Sequence, residues 1–380
     1  MITSRRGFLR WLGASGTAGM AMHWPMIFAS RATTLEPSMR DDGFIRLDRN
    51  ENAYGPSPKV EEVIRSSVGA NRYALKESRW LLEKIASLNH VKSDQVLLGC
   101  GSTEILRMAC FAFLGVGKQL IQASPTFEAI ERYARSAGSD VISVPLTPAF
   151  AHDLNGMQAR ASASTTLVYI CNPNNPTASL TSRKEIESFI DNLPRSTFVI
   201  IDEAYHHYAG QSGMYASFID RRFDDERVIV TRTFSKVYGL AGLRLGYAVA
   251  SPEVISRMQK FVTEANVNAV VTHAAAAALD DVSGTDDFIQ RNTNDRQEFF
   301  NQAMARAVKP IDSHANFVMM NTFHPAEEVI EHFRKNNILI GRPFPPLDTH
   351  IRISLGRTEE MRAFWRAWDR LPYPKHSMQH

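Results

Sequence analysis

The chain predicts an α/β architecture: a mostly parallel, seven-stranded sheet in a large domain, followed by a smaller α+β domain at the C-terminal end. Two observations carry that expectation. Short β-branched or Leu-rich runs alternate with helical patterns through the middle of the chain, the arrangement that builds a parallel sheet covered by helices on both faces. After about Asn266 the character changes to long helical stretches with few strand-like runs between them.

Taken in order, the strand-like runs are 96–98, 119–123, 141–145, 166–171, 198–202, 228–231 and 245–250. Helical patterns fill the gaps, at 103–114, 128–137, 183–192 and 252–262. Beyond them, helical stretches at 273–281 and 286–308 lead into the segments 316–320, 326–336, 351–354 and 359–371. Domain limits follow: an N-terminal arm at 33–60, a large domain at 61–265 and a small domain at 266–380. In open parallel sheets, ligands bind beyond the carboxyl ends of the strands, so the chemistry is expected in the loops that follow them.

Composition narrows the classes of function. A hydrophobic content of 44 % and a charged content of 22 % over 380 residues are those of an ordinary globular protein. A net charge of +3 offers no concentrated basic stripe for coating nucleic acid. No uninterrupted apolar window of about 18 residues exists, which excludes a multi-span membrane protein. Cys100, Cys110 and Cys171 are odd in number and lack CxxC spacing, so neither a disulfide scaffold nor a metal site is expected. All three lie in apolar runs and are expected to be buried.

The first thirty or so residues read as an address. Ser4-Arg5-Arg6-Gly7-Phe8-Leu9-Arg10 sets a twin arginine in a basic segment, and a weakly apolar stretch follows from Trp11 to Ala29. This resembles the twin-arginine export signal, which carries proteins already folded around a cofactor across the bacterial inner membrane. Small residues at Ser30-Arg31-Ala32 make 1–32 a signal peptide, either cleaved or retained as an anchor. The expectation is a periplasmic protein that meets the twin-arginine translocase, with a cytoplasmic location as the alternative.

Four polar clusters fall in strand-end loops. Asn172-Pro173-Asn174-Asn175-Pro176-Thr177 follows the apolar run ending at Cys171. Asp202-Glu203-Ala204-Tyr205 ends the next strand. Thr233-Phe234-Ser235-Lys236 runs on to Tyr238-Gly239-Leu240-Ala241-Gly242-Leu243-Arg244. Gly99-Cys100-Gly101-Ser102-Thr103 is a small-residue turn opening a helix. Singly, each is an ordinary turn, cap or surface pair. Together they match one chemistry. A lysine forms a Schiff base with an aldehyde cofactor, and an aspartate keeps a pyridine nitrogen protonated so that the ring accepts electrons. A Gly-Ser-Thr turn at a helix N-terminus, with a Ser and an Arg nearby, holds a phosphate. An Asn and a Tyr donate to the ring oxygen. Pyridoxal 5'-phosphate (PLP) needs all of these at once.

These motifs resemble the signature loops of the PLP-dependent aminotransferases of fold type I, class I/II. Within that family the branch most alike is that of the histidinol-phosphate aminotransferases, whose entry motif is echoed by Leu47-Asp48-Arg49-Asn50-Glu51-Asn52-Ala53-Tyr54-Gly55-Pro56-Ser57-Pro58. The resemblance runs in order from about Asp48 to about Arg370. It implies Lys236 as the Schiff-base lysine and proton shuttle, Asp202 as the partner of the pyridine nitrogen, and Asn175 and Tyr205 at the ring hydroxyl. It implies Ser102, Thr103, Ser235 and Arg244 at the phosphate, with Phe127 stacked on the ring. Tyr73 would reach the phosphate of a neighbouring subunit in a homodimer with shared sites. Arg352 would clamp the substrate carboxylate. Arg342 stays open between a second anion contact and a solvated loop charge.

Two positions depart from the family pattern: Ala178 where Gly is usual, and Ala74 where Pro is usual. His206 and His207 lie outside it and are expected to be solvated. The resemblance implies transamination between an amino donor and a 2-oxo acid; another PLP reaction at Cα and a non-catalytic binding module are the alternatives. The natural donor is not determined by these residues. The branch points to histidinol phosphate, a cytoplasmic metabolite, whereas the N-terminus points to export.

Overall fold

The computed structural model describes residues 43–67, 71–220 and 225–372, so the twin-arginine segment lies outside the described residues. Eleven strands are present among them: β1 (Ile45–Leu47), β2 (Val96–Gly99), β3 (Gln119–Ser124), β4 (Asp140–Pro145), β5 (Thr165–Cys171), β6 (Phe198–Asp202), β7 (Val228–Thr233), β8 (Gly246–Val249), β9 (Phe317–Asn321), β10 (Ile338–Ile340) and β11 (His350–Ser354). Strands β2 to β8 form one seven-stranded sheet in the order β2-β8-β7-β6-β5-β3-β4. Only β8 is reversed in it, running antiparallel to β2 and β7, while the other pairings are parallel.

The period of two along each strand distributes side chains between two cores. In β5, Val168 and Ile170 face one hydrophobic cluster and Leu167, Tyr169 and Cys171 the other; in β6, Val199 and Ile201 oppose Ile200. Both faces are therefore dry, which is why these runs carry no polar alternation. The helices Ser102–Phe113 and Ala129–Ser136 supply apolar side chains to one cluster, and Leu75–Leu88, Arg183–Asn192 and Ala269–Asp280 supply the other.

A third cluster binds the C-terminal elements to the start of the described chain. Phe299, Phe333, Phe364, Trp365 and Trp368 pack there, with the rings of Phe333 and Phe364 stacked at 4.7 Å. β11 pairs antiparallel with β9, and β10 pairs in parallel with β1. Neither β1 nor β10 was expected from the sequence. Each is three residues long, and its partner lies at the other end of the chain, so no local pattern announces it. The helix Ala269–Asp280 begins earlier than its periodicity indicated because the Asn268 side chain accepts from Val271 N at 2.8 Å and caps it.

Two expectations are corrected. Cys110 and Cys171 are buried, but Cys100 is exposed, because it sits in the turn after β2 and not in the apolar run before it. His206 and His207 are not solvated loop residues. They open the short helix His206–Ala209, their rings 3.7 Å apart, with His207 Nε2 3.2 Å from the Tyr238 hydroxyl. Burial, with the charge of Arg232 second for His207, lowers both pKa values, that of His207 to about 3.

Candidate active site

Parallel strands place their carboxyl ends on one edge of the sheet. The register pairs Cys171 with Asp202, Asp202 with Thr231, Thr233 with Gly246, and Gly99 with Gly246. The four loops singled out in the sequence therefore emerge side by side. Because β8 is antiparallel, it brings its amino end to this edge, and Arg244 with it.

Asp202 is buried, and its carboxylate accepts from the Tyr169 hydroxyl at 2.8 Å and from Ala204 N at 3.2 Å. Burial raises its pKa, and the hydrogen bond from Tyr169 opposes that. Among the described residues no lysine or arginine forms an ion pair with it. A buried carboxyl of this kind either keeps a proton or pairs with a positive group, so it suits a cationic ring nitrogen.

Lys236 follows β7. Its Nζ donates to the carbonyls of Asn50 and Arg49 at 2.9 and 3.3 Å and lies 5.5 Å from the centre of the Tyr205 ring. Burial, and then the charge of Arg352, lower its pKa from 10.5 to about 8. Roughly a tenth of the amine is thus free at pH 7, far more than for an ordinary lysine.

The hydrogen bonds around Tyr205 run in one direction. Asn50 N donates to Ser354 Oγ at 2.8 Å, and the Ser354 hydroxyl donates to Asn50 Oδ1 at 3.2 Å. Asn50 Nδ2 then donates to the Tyr205 oxygen at 3.1 Å, which leaves the Tyr205 hydroxyl proton for the site. Asn175 reaches the same condition by another route. Arg352 Nη1, which is only a donor, takes its Oδ1 at 2.7 Å and leaves the amide nitrogen to donate. Two donors suit an anionic ring oxygen.

A cradle suited to an anion lies between the β2 turn and the loop before β8. The helix Ser102–Phe113 has Gly101 as its N-cap and no side-chain cap, so its first N–H groups are not taken by a capping side chain. Gly101 has φ +76°, and a Cβ there would come within 2.8 Å of Arg244 Cζ. Only glycine admits the guanidinium so close to the turn. Arg244 itself has φ 60°, and its Nη1 donates to Ser235 Oγ at 3.1 Å. Gly239, with φ +68°, lies against the backbone of Gly55, where a Cβ would meet the Gly55 carbonyl carbon. This docks the arm carrying Asn50 onto the Lys236 loop.

These residues fit PLP: an uncompensated acid for the ring nitrogen, two donors for the ring oxygen, an amine of lowered pKa for the aldehyde, and an anion cradle with an arginine. Among the remaining expected site residues, Phe127 is half-buried and packs against the cluster beneath the sheet edge. Tyr73 is 82 % exposed on this chain. Arg352, in β11, is buried; its Nη2 donates to Asp48 O at 2.6 Å, and burial lowers its pKa to about 10. Arg342, half exposed, pairs with Glu128, Nη2 to Oε1 at 2.5 Å. Ala178 takes the left-handed φ of 59° that glycine would favour.

Sequence reasoning missed Tyr169, Asn50, Ser354 and Asn316. Asn316 Nδ2 donates to the Asn50 and Glu51 carbonyls at 3.1 Å each. Asn50 did stand in a quoted motif, but its φ of 55° and its role as a hub are tertiary facts. Tyr169 looked like one more apolar strand residue, and nothing in its neighbours signalled a partner one strand away.

Fold and site together define a PLP-dependent transferase of fold type I. The chain belongs to the aminotransferases of class I and II, whose family model matches residues 42–367. A histidinol-phosphate aminotransferase of Moorella thermoacetica is 33 % identical over 326 residues, covering 85 % of this chain and 84 % of that protein. Histidinol-phosphate aminotransferase 2 of Methylococcus capsulatus is 34 % identical over 338 residues, 87 % and 91 % of the two chains. Among solved structures, the Sinorhizobium meliloti histidinol-phosphate aminotransferase in complex with PLP superposes with a TM-score of 0.79 at 27 % identity, covering 85 % of this chain and 89 % of that one. The chain is accordingly a PLP-dependent transaminase that moves an amino group between an amino donor and a 2-oxo acid.

Proposed function

We propose that the transaminase works as an exported homodimer and that its residues divide the labour as follows. When bound, PLP supplies the aldehyde that takes the amino group and a ring that accepts electron density from Cα. Asp202 would keep the ring nitrogen protonated, since a buried carboxylate gains most from a cation at hydrogen-bond range. Asn175 and Tyr205 would donate to the ring oxygen. Ser102, Thr103, Ser235 and Arg244 would hold the phosphate. Lys236 Nζ would anchor the cofactor and carry the Cα proton, and its pKa near 8 suits a base working close to neutrality. Arg352 would orient the donor's carboxylate, and Phe127 would cover the ring.

The observation that carries this reading is the pairing of an uncompensated buried Asp202 with a lysine of lowered pKa on the same sheet edge. The test is a half-reaction without acceptor. Purified enzyme mixed with an amino donor should release one equivalent of the donor's oxo product, a 2-oxo acid where the donor is an α-amino acid, per pyridoxamine phosphate formed. Release of carbon dioxide or ammonia in its place would assign another reaction at Cα.

The dimer rests on Tyr73, a large aromatic side chain left in solvent on a single chain, as expected of a group that reaches a neighbour's phosphate. Export rests on Arg5-Arg6 and the weakly apolar stretch behind them. Replacing both arginines with lysine should leave active enzyme in the cytoplasm. Wild-type enzyme found in the cytoplasm with its N-terminus intact would end the export reading. The relatives' names make histidinol phosphate the first donor to try.

A further inference from the structure

The connection from β10 to β11 carries Arg342 and Phe344 to the side of Arg352, and Glu128 meets it from the far side, one residue after Phe127. The guanidinium carbons of Arg342 and Arg352 lie 4.3 and 4.8 Å from the centre of the Phe344 ring, so one aromatic ring serves two cations. The two are neutralised differently. Arg352 gives its hydrogen bonds to neutral oxygens, Asn175 Oδ1 and Asp48 O. Arg342 is paired with the Glu128 carboxylate at 2.5 Å. Glu128 also acts on Arg352 through space, raising its pKa where Arg342 lowers it.

Building on the transaminase reading, we propose that Glu128 is a specificity-determining residue. By cancelling Arg342 it leaves Arg352 as the one uncompensated cation of that pair, and so selects amino donors whose single anion is a carboxylate over amines carrying a phosphate monoester. One carboxylate matches one guanidinium. A phosphate monoester bears a charge of roughly −1.5 to −2 near pH 7 and would need both arginines. It could recruit Arg342 only by leaving the Glu128 carboxylate unpaired beside it. The pair is open to water, with side-chain exposures of 50 % and 57 %, so it yields easily by itself. Discrimination comes from the like charge left beside the phosphate, a term that salt screens. The other class of donor is thus rejected by repulsion, not by lack of contacts.

The experiment compares L-phenylalanine with histidinol phosphate as donors to the holoenzyme, and titrates inorganic phosphate into it by calorimetry. Wild type should show the higher kcat/KM for the amino acid and bind phosphate weakly. Glu128→Gln, an isosteric change, should move the kcat/KM ratio about tenfold or more toward the phosphate ester and tighten phosphate binding. Both shifts should shrink at high salt, and adding Arg342→Gln should abolish them. An unchanged ratio with unchanged phosphate affinity in Glu128→Gln would overturn the proposal, as would a wild type that already prefers the phosphate ester. If neither donor is turned over, the donor lies outside both classes, and the phosphate titration alone still decides the role of Glu128.

Discussion

Replacing Gly101 with alanine separates the cofactor cradle from the fold around it. Gly101 sits at φ 76° and ψ 161°, a region essentially reserved for glycine, where an L side chain costs about 1–3 kcal/mol of backbone strain. Its new Cβ would lie 2.0 Å from Arg244 Nη2. That atom is the free end of a flexible side chain, so the fold can relieve the clash by turning the guanidinium aside by an ångström or more. The displaced group would give up its approach to the phosphate. A hydrogen bond to a charged partner is worth about 1.5–3 kcal/mol, which is roughly tenfold to 150-fold in affinity at 1.4 kcal/mol per decade. Titrating cofactor-free protein with PLP, followed by absorbance and tryptophan fluorescence, should show a dissociation constant raised within that range. Thermal unfolding of the cofactor-free protein should report the strain alone. Cys100→Ala, at the exposed neighbour, should change neither. A Gly101→Ala protein that binds PLP as tightly as wild type would refute the placement of the phosphate between this turn and Arg244.

Three further outcomes follow from the same geometry. Lys236 is held at a pKa of about 8, below its usual 10.5. The folded, cofactor-free protein therefore binds fewer protons than the unfolded chain between those values, and stability rises with pH across that window. Lys236→Met should be the more stable protein at pH 7 by something on the order of 3 kcal/mol, with the gap closing by pH 10.5 in urea unfolding; a constant gap would contradict the burial of the amine. Asp202→Asn keeps the shape and the hydrogen bond from Tyr169 but removes the charge, so it should retain PLP while losing about 10²-fold or more in turnover, and near wild-type rates would reduce Asp202 to a structural cap. Arg352→Ala should raise KM for an α-amino acid far more than it lowers kcat, since two charge-assisted bonds of about 1.5–3 kcal/mol each are at stake; an unchanged KM would place the carboxylate elsewhere.

The sequence by itself carried the α/β class, the order of the large sheet's strands along the chain, and the four loops that meet at one edge. It did so because parallel strands buried on both faces must be apolar runs, and because turns that hold phosphate, acid, amide and lysine need particular residues at particular places. The cofactor was legible for the same reason: Asn175, Asp202, Tyr205, Lys236 and Arg244 are each rare in combination, even though each is common alone. Strand β7 already reached past its expected end, because its last residue pairs with Gly246 on a strand that sequence adjacency does not bring near.

Tertiary structure decided what depends on distance between segments far apart in the chain. It set the proton directions that run from Asn50 through Ser354 to Tyr205, and the bond from Tyr169 that steadies Asp202 across one strand. It withdrew His206 and His207 from solvent and put Cys100 into it. It also gave Arg342 a carboxylate partner, where the sequence left it open between an anion contact and a solvated loop charge. Its partner Glu128 lies over two hundred residues away, and neither residue's neighbours encode the pair. Periodicity and turn chemistry report what a segment does with its own neighbours; the charge left for a substrate is a sum over residues that only folding brings together.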